Sequence, residues 1–206
     1  MAITSKVELC TLGLGHLGNY GTLSNIDTPT NDKEKTFALW YDITRQALLK
    51  QVMPNFALAR RKISQLLTTQ AFGYTYAWEY PADCLKVLGI SDVDQVGRYV
   101  YSVEGNVIYS DDPWDDGLEL RFIKDITDVN SMSPEFKMLL SWALAGNTAM
   151  TITQSVEKTA MIQKQFAAKM AEVSGMNAQE NKPIRVSNSR FQQARYAMMA
   201  QNPTKR

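Results

Sequence analysis

A single histidine, His16, stands in a chain of 206 residues, so any Ser-His-Asp or Cys-His catalytic set would have to be built around that one imidazole. Its glycine-flanked position gives no sign of such a set. Cysteine is nearly as scarce. Cys10 and Cys84 lie far apart among apolar neighbours, which predicts two buried thiols rather than a disulfide and leaves no close-spaced pair of zinc ligands. No apolar run approaches the roughly 20 residues of a membrane span, and no charged-then-apolar signal pattern follows Met1. The expectation is a protein made and kept in the cytosol, with no membrane partner. An excess of one charge is also missing: Lys+Arg 22 against Asp+Glu 21 gives a formal net charge of +1, without the strongly basic character of a dedicated nucleic-acid binder.

What is present is enough chain for one core and a small subdomain, patterned mostly for helices. Val7, Leu9, Cys10, Leu12, Leu14 and Leu17 predict a first helix over residues 4–17, followed by a turn-rich loop to Thr30. Asn31, with Glu34 three positions on, can open a second helix over 32–52, whose apolar face is expected to hold Phe37, Trp40, Tyr41, Thr44, Ala47, Leu48, Gln51 and Val52. Pro54 should stop it. A shorter helix over 55–67 is predicted from Phe56, Ala59, Ile63, Leu66 and Leu67, with Arg60, Arg61 and Lys62 outward. The period then changes to two. Tyr74-Tyr76-Trp78, Leu85 to Ile90, Tyr99 to Val103, Val107 to Tyr109 and Leu118 to Ile123 predict a small antiparallel sheet over about 74–123, with a hairpin at Glu104-Gly105-Asn106. Helices return over 134–150, capped by Ser133 with Pro134 in the first turn, and over 155–173, ended by Gly175. The fold class expected is α+β, mainly α: a helical bundle with a small inserted antiparallel sheet over residues 1–175, and an extended C-terminal arm over 176–206.

Four stretches carry possible chemistry. Gly13-Leu-Gly15-His-Leu-Gly18 matches the spacing of a dinucleotide fingerprint, but the turn-rich residues after it leave no room for the helix whose N-terminus would hold the pyrophosphate. It reads as a glycine-loosened helix end, and no cofactor is expected. Asp111-Asp112-Pro113-Trp114-Asp115-Asp116 could hold a cation or supply a carboxylate pair for glycoside hydrolysis, yet it lacks the alternating ligand spacing of a calcium loop and reads more simply as a solvated turn. Arg60-Arg61-Lys62 could touch phosphate or form a solvated helix face. The arm carries Lys182, Arg185, Arg190, Arg195, Lys205 and Arg206 against one acid, Glu180, a net of about +5 that leaves about −4 for the remainder. With little sustained periodicity, such a segment suits folding on a partner.

The order of Leu14-Gly15-His16-Leu17-Gly18, the long helix running into Met53-Pro54-Asn55-Phe56-Ala57, Phe72-Gly73-Tyr74, Tyr80-Pro81-Ala82-Asp83-Cys84-Leu85 and Val103-Glu104-Gly105-Asn106 resembles the head-tail adaptor family of tailed bacteriophages, also called tail tubular protein A. The resemblance covers roughly residues 1–173. It implies a structural virion protein rather than an enzyme, with no catalytic, cofactor or metal residues. Such a protein would form a dodecameric ring at the head-tail junction, bind the portal protein, present a platform to a downstream tail or nozzle protein, and pass genomic DNA without reading its sequence. In that setting the arm residues Lys182, Arg185, Arg190, Phe191, Arg195 and Tyr196 are the expected portal contacts. The rivals are a virion-associated cell-wall hydrolase using the Asp111 to Asp116 cluster, and a small DNA-binding protein using Arg60 to Lys62 and the arm.

Overall fold

The computed structural model describes residues 3–19, 21–67, 73–91 and 100–180. Helix α1 (Lys6–His16) starts at a reciprocal cap, in which the Ser5 side chain accepts from the Glu8 N–H and Glu8 reaches back to the Ser5 N–H. Helix α2 (Asp32–Val52) starts the same way, on Asn31 and Glu34, as its sequence predicts. It stops at Met53, which adopts a left-handed backbone (φ 51°) ahead of Pro54. Its buried face is Phe37, Tyr41, Thr44, Arg45, Leu48, Leu49 and Val52, while Ala47 and Gln51 are exposed and Trp40 is only half-buried. The inward stripe is therefore rotated toward Arg45 and Leu49, because an ion pair draws the arginine inside.

Residues 55–67 are not a helix. Asn55–Ala57 make one 3₁₀ turn, with Phe56 edge-on to Phe136 (5.2 Å between centroids), and the chain then extends as β1 (Leu58–Ile63). The apolar spacing misleads here because Arg60, Arg61 and Lys62 are all exposed and hide the alternation of a strand; the Arg61 guanidinium lies 5.5 Å from the centre of the Phe122 ring and is held by Asp83. Arg61 itself stays half-exposed, its head neutralised by Asp83 while its stem covers the ring. Strand β1 pairs antiparallel with β6 (Leu118–Lys124), which also pairs with β3 (Cys84–Ile90), giving the order β1-β6-β3.

A second three-stranded sheet has the order β2-β5-β4, from β2 (Tyr76–Glu79), β4 (Tyr101–Glu104) and β5 (Val107–Ser110). The β4–β5 hairpin turns at Gly105-Asn106, where Gly105 has φ 58°, as its turn chemistry predicts. The expected single sheet is thus two, and strand structure begins at Leu58 rather than near Tyr74. The sheets are stitched where β1 runs on, through Leu66 N–H to Ala77 C=O (2.8 Å) and Glu79 N–H to Ser64 C=O (3.0 Å). Between them lies a small core of Ile63, Trp78, Cys84, Ile90, Ile108, Leu118, Leu120 and Phe122, and the Trp78 indole donates to Ser110 (3.0 Å).

The larger core belongs to the helices, and α3 (Pro134–Thr153) runs through it, packing against α1, α2 and α4. Ser133 caps α3 and Pro134 opens it. Small buried residues, Ala143, Ala145 and Ala149, let neighbouring helices approach, and Gly13 of α1 sits so close that a Cβ there would lie 3.2 Å from the Ser141 carbonyl oxygen. Gln154, left-handed at φ 51°, ends α3. Helix α4 (Val156–Glu180) then runs past Gly175 rather than ending there. Its last turns are anchored by Asn177, whose side-chain amide donates to the Val52 and Met53 carbonyls (3.0 and 3.3 Å), so a favourable tertiary contact offsets the glycine. The fold is α+β and mainly α, as the sequence implies. Both cysteines are buried free thiols, and burial pushes Cys10 up to about 12.

Candidate interaction surfaces

The only histidine is built into the helix packing. The His16 ring stacks on Trp142 (3.8 Å between centroids, planes 11° apart), and its Nε2 lies 3.0 Å from Ser141 Oγ. That hydroxyl already donates to the Met138 carbonyl (2.7 Å), so His16 Nε2–H is the donor and Ser141 the acceptor. A serine nucleophile needs the reverse direction, with the imidazole taking its proton. Burial lowers the pKa of His16 and favours the neutral ring. Sequence reasoning could not bring Ser141 to His16, since 125 positions separate them.

The glycine motif falls where its spacing suggested, at a helix end. Gly13 and Gly15 lie within the last turns of α1, and Gly18, at φ 74°, follows the helix. A pyrophosphate would need the opposite end of a helix. The acidic cluster joins β5 to β6. Asp111 accepts from the Thr75 N–H and hydroxyl (3.0 and 3.2 Å), and Asp116 is paired with Lys62, which holds its carboxyl below the ordinary range. A hydrolase acid needs a carboxyl pushed upward instead. Among the described residues, no group of three or more histidine, cysteine and acidic side chains is placed to share a metal ion.

Arg60, Arg61 and Lys62 lie on a strand, not a helix, so alternation divides them: Arg61 turns to the small core, and Arg60 and Lys62 share the opposite face. Directly across from Arg60 on β6 is Arg121, and across from Lys62 is Glu119. These side chains, with Ser91 and Leu120, line a groove of about 380 Å³.

A second surface is apolar. Leu39 (67% exposed) and Ile43 (59% exposed) repeat at one-turn spacing along α2, with Ala47 one turn further. Beside them Ile43, Ala47, Ala143, Gly146, Gln163 and Phe166 help to line a groove of about 400 Å³ between α2, α3 and α4. Asn147 crosses its floor to donate to the Thr44 hydroxyl (2.8 Å). Leu39 and Ile43 fall outside the predicted inward stripe, whereas Ala47, expected within it, is exposed.

The arm residues Lys182, Arg185, Arg190, Phe191, Arg195 and Tyr196 lie outside the described residues. Among the described residues no helix is long and apolar enough to cross a membrane. No family model matches this chain, and no match was found among the curated proteins.

Proposed function

We propose that this chain is a ring-forming adaptor between a phage portal and tail, continuing the DNA channel and carrying a platform for the next tail component. The observation that carries the reading is the exposed Leu39-Ile43-Ala47 stripe beside the α2-α3-α4 groove. The chain already buries its own helical core, so branched apolar residues left outside it at one-turn spacing suit a partner surface rather than folding. Identical subunits related by a closing rotation can bury such a stripe against a different patch on the next copy. The order of elements, helices interrupted by a small strand region and then helices again, supports the reading, because the resemblance to the head-tail adaptor family implies a helical bundle with a small inserted sheet.

The test is assembly. Purified chain is expected to sediment as a monomer alone and to join a portal-sized species when portal protein is added. A Leu39→Glu/Ile43→Glu variant should melt like the parent, since both positions are exposed, and fail to build the ring. Assembly of that variant at parental concentration would remove the stripe from the mechanism, and absence of any portal-bound species for the parent would remove the adaptor function.

A further inference from the structure

We propose that Arg60 and Arg121 form a binding site for a single phosphate group on the β1-β6-β3 sheet. The two residues are directly opposed in an antiparallel register, so their side chains leave the same face. Like charges in that position repel. The other cations nearby are neutralised, Arg61 by Asp83 and Lys62 by Asp116, whereas among the described residues neither Arg60 nor Arg121 has an acidic partner. Among the described residues the Nε of Arg121 is shielded from solvent without an acceptor, a costly arrangement unless something supplies one.

The surroundings leave room for that acceptor. Gly89 stands beside Arg121 on β3, and a Cβ there would meet only open space. Ser91 lines the groove with its backbone turned left-handed (φ 61°) and its N–H committed to the Glu119 carbonyl (2.7 Å). Two guanidinium forks can give paired N–H donors to one tetrahedral oxyanion. The site suits one phosphate rather than a long polyanion track, because the next pair along the same face is Lys62, held by Asp116, opposite the Glu119 carboxylate. That phosphate can be free in solution or one phosphodiester of a nucleic acid. The inference is independent of the adaptor reading, since one subunit carries the whole site.

The test is a titration of the full chain followed by the arginine Nε–Hε resonances at fixed ionic strength. Inorganic phosphate should shift the Arg60 and Arg121 signals saturably and leave Arg61 unmoved. An R60Q/R121Q variant should bind phosphate about tenfold more weakly or worse, as expected for loss of charge-assisted hydrogen bonds. If that variant does not fold, R60Q alone, at an exposed position, serves instead. A short duplex DNA moving the same two signals would identify the phosphodiester as the source, and a response to inorganic phosphate alone would identify the free ion. Equal shifts with acetate or chloride, no shift at all, or undiminished binding by the variant would overturn the proposal. Asp92 and Asp94 follow Ser91 in the sequence, outside the described residues. A response seen only in a D92N/D94N variant would mean that the chain's own acids satisfy the pair, which also overturns it.

Discussion

Glu34 is shielded from solvent, and its carboxylate accepts hydrogen bonds from the backbone of Ser24, Thr30 and Asn31 and from the Thr30 hydroxyl. The Thr30 and Ser24 backbone bonds lead in holding its pKa down to about 2, against an ordinary 4.5. Because the folded value is depressed, this stabilisation is complete above the unfolded pKa and is lost as pH falls from about 4.5 toward 2. Glu34→Gln should therefore be less stable than the parent at pH 7, with the difference shrinking below pH 4.5, as read from denaturant midpoints across pH. His16 contributes in a separate window. Its folded pKa is lowered by burial, so the unfolded chain takes up the proton first and stability should decline as pH falls through 6.5, a slope that His16→Gln should lack. Arg45 is 2% exposed and held by Asp125, Asp42 and the Ile126 carbonyl. Asp125→Ala strands that buried cation and should cost about 3–5 kcal/mol, whereas Asp42→Ala, at an exposed partner, should cost at most about 1 kcal/mol.

Among the elements, the end of α2 and the start of β6 depend on residues remote in sequence. The carbonyls of Val52 and Met53 lie where Pro54 ends the helix, and Asn177 supplies their donor from α4. Asn177→Ala should lower stability by about 1 kcal/mol and speed amide exchange in the last turn of α2. Gly117 precedes β6 with φ 92°, and a Cβ there would sit 3.0 Å from the Ile63 carbonyl oxygen. Gly117→Ala should cost about 1–3 kcal/mol in thermal unfolding and loosen the β1–β6 pairing first.

For the whole molecule, helices and sheets are tied by Arg45 to Asp125 and by Ile123 of β6, whose side chain is buried in the helical core. Under the proposed adaptor function, residues 181–206 supply the portal contact. Removing residues 181–206 should leave helical content and melting nearly unchanged while abolishing attachment to portal. Cutting at Gly175 removes Asn177 as well and should lower the melting temperature. Hydrogen exchange of the shorter truncation, free and mixed with portal, separates loss of attachment from loss of fold.

Local chemistry made much of this chain legible. The Asn31–Glu34 and Ser133–Pro134 helix starts, the Gly105-Asn106 turn, the buried thiols and the fold class all depend on neighbours a few positions apart, where side chain and backbone interact before any tertiary contact forms. Where pairing is distant, the same reading failed. Arg60, Arg61 and Lys62 are exposed in succession and mask the alternation of β1, so a strand reads as a helix until its pairing with β6 is set. Arg45 looks polar until Asp125, 80 residues on, draws it inside and turns the α2 face with it. Gly175 reads as a stop until Asn177 finds the end of α2. The opposition of Arg60 to Arg121 has no local signature, since a strand acquires a facing partner only when the register with β6 is set.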